Sequence, residues 1–404
     1  MVIVNIEVFA FKYDHHYRLG GHTDSPNRLP GTDYYFEPQW RHAYSGLTES
    51  CLVKITTDEG LIGWGEAQSP LVPEVPATLI AKLLGPAILG LDPTNPQAIY
   101  EKLYHLSHVR GHTTSYTIDA IAGIDIALWD IKGKAEGKPV NELLGKVITT
   151  RLPLYVSGLR RPDLDSRMAL AKEKVQEGFT GVKIFKGDTA VNTLKECEAI
   201  RSAIGNDADL AFDAICAHDY NTAYAIGCGL DELNAAWFEA PIDPEDVAGH
   251  VKLAKVIKTP IAIGEPLRTV REFKPWVEQK AMKIAQPDIV RCGITGGKKI
   301  IGLAEEANLK IGTHIGVCTA IGVAVSWHIS STLINAISQE HQLDMFETAN
   351  KVLQTPLVVE AGHAILPNGA GLGIEVNEDF IRSHSAEVWN ILIDHNQHNI
   401  SSLK

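Results

Sequence analysis

Three features of the 404-residue sequence predict an α/β fold built around a closed barrel of parallel strands. After Thr150, short apolar runs alternate with amphipathic stretches, roughly one unit per 25–30 residues. Eight such runs occur, at 152–156, 181–185, 210–213, 236–239, 261–265, 284–288, 310–314 and 343–347, and eight is the number that closes a barrel. Hydrophobic residues form 45% of the chain and charged residues 21%, the composition of a folded protein with a large core.

The other elements follow in order. The first 65 residues read as strands: Val2 to Phe9 alternates, and 52–56 and 61–65 flank an Asp58-Glu59-Gly60 turn, giving a meander or hairpin. Residues 13–46 are rich in His, Arg, Gly, Pro and Tyr and lack periodicity, which predicts a long surface loop with a function. From Val75 to Gly145 the period turns helical, with Ile118, Ile121, Ile124, Leu128 and Ile131 on one face. The tail, 352–404, is irregular apart from a strand-like piece at 357–360.

Net charge narrows the partners. With 37 Lys and Arg against 49 Asp and Glu, the chain carries −12, which disfavours nucleic acid and anionic membranes and points to a small molecule. Six dispersed cysteines without a C-x-x-C pair fit a reducing cytoplasm, and the N-terminus lacks the pattern of a signal peptide. The stretch 315–338 contains no Asp, Glu, Lys or Arg, but Ser, Thr and His in its interior predict a buried helix rather than a membrane span. His105, His108 and His112, at i, i+3 and i+7, lack a fourth ligand and read as surface or interface residues. The glycines at 369, 371 and 373 read as a turn and not a phosphate loop. Motifs of zinc proteases, serine hydrolases and nucleotide triphosphatases are absent.

In a parallel barrel the chemistry gathers at the carboxyl ends of the strands. Strands three, four and five end in Asp213, Glu239 and Glu265, spaced 26 and 26 residues apart. Three acids at neighbouring strand ends repel one another unless a divalent cation neutralises them, and all-oxygen ligation suits magnesium. On strand two the period of two places Lys183 and Phe185 on the same side, facing the acids. Strand six ends in Asp288 and strand seven in His314, so a carboxylate orients an imidazole that can act as general base. Strand eight, as predicted, ends in Glu347, a further acid facing the cavity.

These residues carry a resemblance that extends over nearly the whole chain. The TTDEGLIGWGE hairpin, the GIDIALWDIKGK helix, Lys183, the trio Asp213, Glu239 and Glu265, Asp288 with GITGG, His314, and NGAGLGIEV together resemble the enolase superfamily, mandelate racemase subgroup. The resemblance implies a modified (β/α)7β TIM barrel, residues 131–355, with an N-terminal α+β capping domain, residues 1–130, completed by the C-terminal tail, residues 356–404. It implies abstraction of the proton next to a carboxylate, the enediolate being held by Mg2+ on the three acids. His314 and Asp288 would be the base dyad, and Glu347 the protonated acid that hydrogen-bonds a substrate carboxylate oxygen.

Two residues depart from the family pattern. Many of its racemases have Lys-x-Lys on strand two, the second Lys being the base opposite the His; here that position is Phe185, which cannot move a proton. Ile215 stands where Asp-x-Asn is common after the first ligand. A dehydratase needs one competent face only, so the expected activity is dehydration of an acid sugar, an aldonate or aldarate, to a 2-keto-3-deoxy acid. The alternatives are a racemase, epimerase or cycloisomerase on the same scaffold, and a non-catalytic homologue that binds a sugar acid. Substrate contacts are expected from the capping loop, through His15, Arg18, His22 and Arg28, and from Phe185. The expected partners are a small-molecule carboxylate and further copies of the chain in a symmetric homo-oligomer, with no nucleic acid and no membrane.

Overall fold

The computed structural model describes residues 1–14, 27–38, 41–185, 188–393 and, for the backbone, 400–403. The amino-terminal part forms a five-stranded antiparallel sheet. Its strands are β1 (Ile3–Tyr13), β4 (Thr48–Thr57) and β5 (Ile62–Ala67), joined by the carboxyl-terminal β16 (Ser385–Leu392) and β17 (Ile400–Leu403) in the order β17-β16-β1-β4-β5. The tail thus completes the cap. Gly60, in the left-handed conformation at φ 82°, turns the hairpin between β4 and β5.

One face of this sheet rests on the helix Tyr116–Glu136. The contact is close because small residues face each other: a Cβ at Gly65 would overlap the Gly123 carbonyl, and one at Gly63 the Ala127 carbonyl. The five expected apolar positions of the helix are buried, but so are Asp119, Asp125 and Asp130, because the barrel covers its other side. Each of these acids has partners across that junction. Asp119 pairs with Arg268 at 2.8 Å, Asp125 accepts from the Thr295 amide and hydroxyl, and Asp130 accepts from the Leu372 and Trp64 amides. The NGAGLGIEV segment is therefore a turn docked on the helix.

The barrel strands are β6 (Arg151–Ser157), β7 (Gly181–Phe185), β8 (Asp209–Asp213), β9 (Trp237–Glu239), β10 (Ile261–Ile263), β11 (Ile284–Ala285), β12 (Lys310–Ile311) and β13 (Gln339–Gln342). Neighbours from β6 to β12 pair in parallel, and β13 pairs in parallel with β6. The segment leading into β13 bonds β12 through the Ile311 and Ile337 amides, which closes the ring. Tyr155, Ala211, Trp237, Ala262 and Ile284 fill the interior. A helix buried throughout, Ala320–Ser330, occupies the stretch without charges, and no helix among the described residues is long and apolar enough to cross a membrane.

Four expectations are corrected. Strand eight lies at 339–342, while 343–347 forms a turn and the start of the helix Phe346–Asn350. Its sequence, QEHQ, has no apolar residue, so hydrophobic pattern passes over it, yet Gln339, Glu340 and His341 are buried and bonded or stacked. Residues 13–46 contain a hairpin, β2 (Tyr34–Glu37) with β3 (His42–Ser45). The helix Tyr116–Glu136 runs through residue 130, where the cap was expected to end. The tail first adds a hairpin, β14 (Val358–Glu360) and β15 (His363–Ile365), to the start of β6 before returning to the cap.

Candidate active site

Side chains at the carboxyl ends of the barrel strands and residues of the cap enclose a cavity of about 430 Å³. Lys183, Phe185, Asp213, Glu265, Arg291 and His314 line it from the barrel, and His42, Tyr44 and Gln68 from the cap. Parallel pairing sets Asp213 beside Glu239, and Glu265 follows two residues after the end of β10.

Lys183 lies inside the barrel. Its Nζ donates to Glu239 Oε1 at 2.8 Å, and stands 2.9 Å from Glu340 Oε1 and 3.7 Å from Asp213 Oδ2. Burial works against its charge, but the Glu239 and Glu340 carboxylates hold it well above the usual lysine range. The second oxygen of Glu239 accepts from Trp237 Nε1 and Gln286 Nε2, and that of Glu340 from the Ile315 amide. Asp213 accepts from the Ile215 amide at 2.8 Å; burial, and then the charge of Glu239, push it well above the carboxylate range.

The imidazole and its orienting acid are in contact: His314 Nδ1 and Asp288 Oδ2 are 2.8 Å apart, and His314 Nε2 lies 3.8 Å from Glu265 Oε2. Asp288 is buried behind the ring and caps the next helix by accepting from the Val290 amide. Burial works against the imidazolium, but Glu265, Asp288 and Glu340 outweigh it and raise His314 to about 9. Burial likewise works against the Glu265 carboxylate, yet His314 and Arg291 hold it at about 2. Glu265 and the imidazole therefore stabilise each other's charged forms.

In donor chemistry Asp213, Glu239 and Glu265 fit a hard divalent cation, being all oxygen, crowded and collectively negative. Burial, and after it the Glu239 and Glu265 carboxylates, disfavour the charge of Asp213. Among the described residues no three His, Cys, Asp or Glu side chains converge as an ion's ligands do, and Lys183 holds the space between Glu239 and Glu340.

The structure does not bring every expected residue to the cavity. Glu347 projects from the helix after β13 with its side chain 91% exposed, beside Lys351. The acid on the strand itself is Glu340, seven residues earlier on β13, buried against Lys183 at 2.9 Å. Arg28 is bonded to Asp33 and the Thr32 carbonyl and does not line the cavity. His15, Arg18 and His22 lie outside the described residues. Three contributors went unrecognised in the sequence. His42 reaches from β3 to within 2.9 Å of the Ile215 carbonyl oxygen, Arg291 pairs with Glu265, and Arg160 sits in the loop after strand one, a position barrel topology marks as functional. The turn gripped by His42 places both Ile215 and Cys216 at positive φ, 54° and 55°. His105 and His108 touch on the surface, away from the cavity.

Comparison with known proteins follows the same lines. Residues 167–380 match the family model described as enolase C-terminal domain-like. Residues 43–145 match that of the mandelate racemase / muconate lactonizing enzyme N-terminal domain. A D-galactarolactone cycloisomerase from Agrobacterium fabrum is 31% identical over 81% of this chain and 89% of its own length. A D-galactonate dehydratase from Pectobacterium atrosepticum is 30% identical over 89% and 94%. A crystal structure of an enolase superfamily member from Agrobacterium tumefaciens superposes with a TM-score of 0.90 at 32% identity, covering 94% of this chain and 98% of that one. The 3,6-anhydro-D-galactonate cycloisomerase from Zobellia galactanivorans superposes with a TM-score of 0.80 at 28% identity, covering 95% and 99%. The chain belongs to the enolase superfamily, as an enzyme whose amino-terminal domain is of the mandelate racemase / muconate lactonizing enzyme type.

Proposed function

We propose that this enzyme is a magnesium-dependent dehydratase of an acid sugar, removing the proton alpha to a carboxylate and expelling the beta hydroxyl to leave a 2-keto-3-deoxy acid. The observation that carries the reading is the asymmetry of the cavity. A His–Asp dyad stands on one wall, and Phe185, unable to accept a proton, stands on strand two. Relatives named D-galactonate dehydratase and L-talarate/galactarate dehydratase support the class.

His314 takes the alpha proton at Nε2, the nitrogen turned away from Asp288, and Asp288 fixes the ring and favours the imidazolium that forms. Lys183 offers fixed positive charge beside Glu340, which a substrate carboxylate oxygen meets as a pair. The imidazolium then returns its proton to the departing hydroxyl, so one face serves both halves of the reaction. Asp213, Glu239 and Glu265 would hold Mg2+, which supplies positive charge against the doubly negative intermediate.

A cycloisomerase reading rests on the relatives bearing that name, and it too needs only one base. Purified protein with magnesium, offered mono- and diacid sugars and assayed with semicarbazide, separates the two. Keto acid formed from few stereoisomers and lost in His314→Asn supports the dehydratase; a ring-opened or ring-closed isomer from a lactone or anhydro sugar acid replaces it with the second reading. The free cysteines accord with a cytoplasmic enzyme, and a symmetric assembly is expected, measurable by light scattering.

A further inference from the structure

The wall of the cavity that lacks a base carries a cation instead. The Arg160 guanidinium lies over the Phe185 ring, 4.6 Å from its centroid, and both residues line the cavity. This stack has its own seat. Gly158, at φ 80°, brings the backbone against the ring, so that a Cβ there would stand 2.8 Å from Phe185 Cε1 and 3.7 Å from Arg160 Nε. A side chain at 158 would force the Phe185 ring to shift from this position. A guanidinium stacked on an aromatic face directs its N–H groups sideways in its own plane, the geometry that meets a carboxylate in parallel bonds.

Among the described residues two more fixed cations, Lys183 and Arg291, line the cavity. Lys183 is held between Glu239 and Glu340, and Arg291 pairs with Glu265 through its Nη2 at 3.2 Å. Arg160 comes from the loop after β6 and Phe185 from the end of β7, whereas His314 follows β12, with β13 between β12 and β6 round the barrel. A substrate carbon chain that presents its alpha proton to His314 can extend from there toward the Arg160 stack. Arginine stays protonated at any working pH, so it recognises an anion there but does not replace the missing base.

We propose that Arg160, braced on Phe185, is the specificity residue for a second, distal carboxylate, and that the substrate is a sugar diacid or its lactone rather than a monoacid. This rests on the sugar-acid reading of the site and narrows it.

The test measures binding without turnover. In the His314→Asn variant with magnesium, calorimetry compares a six-carbon aldarate with the aldonate of matching configuration, with and without Arg160→Gln or Phe185→Leu. The expected result is tighter aldarate binding, about 10- to 100-fold, the size of one charge-assisted contact. Arg160→Gln should erase that preference while leaving the aldonate's affinity within a few-fold, and Phe185→Leu should reduce it in part. A residue that only shaped the fold would weaken both ligands alike. Equal or tighter aldonate binding, a preference that survives Arg160→Gln, or no binding of the aldarate overturns the proposal. Keto acid formation by the wild type tells the two failures apart: if monoacids are dehydrated, the sugar-acid reading stands and only the diacid assignment falls.

Discussion

The protein buries two sets of carboxylates, one at the junction of cap and barrel and one in the cavity, and they are built on opposite plans. At the junction each acid is satisfied by a donor suited to it. Glu66 accepts from the Ser50 and Thr319 hydroxyls and the Thr319 and Gly322 amides, closing the start of the helix Ala320–Ser330; Asp125 accepts from Thr295, and Asp119 pairs with Arg268. At the cavity end of the barrel Asp213, Glu239 and Glu340 crowd around the single ammonium of Lys183, and Glu265 lies 3.8 Å from His314 Nε2. Burial of an acid therefore does not mark function. Like charges held together beside open space do, because that arrangement is costly unless something else binds or moves a proton there.

The contrast breaks first at His314. Its replacement by Asn should lower turnover by about 10²–10⁴-fold with little change in thermal midpoint, since the ring serves the reaction and not the packing. A large drop in midpoint would assign it to structure. Next, Glu340→Gln should cost about 10²–10³-fold in turnover, comparable to losing one group that meets developing charge.

At the junction the expected loss changes kind. Glu66→Ala leaves buried amides and hydroxyls without their acceptor and should reduce unfolding free energy by about 2–4 kcal/mol, read from urea titration. Turnover of the remaining folded enzyme should change less than about threefold at low temperature, since Glu66 does not line the cavity. Loss of turnover at full folding would erase the distinction between the two acid sets.

A pH effect sharpens the comparison within a single strand. Glu340 and its neighbour His341 point to opposite sides of β13, and His341 packs against Phe179 and Phe346. Burial, helped by Lys174, lowers His341 to about 4. Since the folded value lies below the unfolded one, its contribution is complete above about pH 6.5 and declines as pH falls toward 4, by about 3 kcal/mol in all. His341→Phe should flatten that limb of the stability profile, and an unchanged limb would place the acid sensitivity elsewhere. The smallest effect is expected at Glu347, where exchange for Gln should leave turnover within twofold, the usual result for an exposed side chain.

Much of this was legible in the sequence for a physical reason. Seven barrel strands are apolar runs, so burial alone reveals them, and the acids, Lys183, Asp288 and His314 stand where those runs stop. Strand eight escaped the same reading because its buried residues are polar: Gln339 bonds Thr313 and Ser330, and Glu340 bonds Lys183. Misplacing that strand moved the expected acid from 340 to 347. His42 and Arg160 went unnamed for another reason, although each lies in a segment of the kind that carries function. Each acts from a loop or hairpin whose approach to the cavity is decided by tertiary contact, and one-dimensional periodicity carries no trace of it. Asp119, Asp125 and Asp130 show the converse, polar letters on a helix that is nonetheless buried all round.

The most direct test follows the alpha carbon of a turned-over sugar acid in deuterated water with magnesium, by proton NMR. With His314 as the single base, keto acid should form, and unreacted substrate, whether or not it gains deuterium, should keep its configuration at that carbon. Appearance of the alpha epimer would require a proton carrier on the wall of Phe185 and would contradict the account.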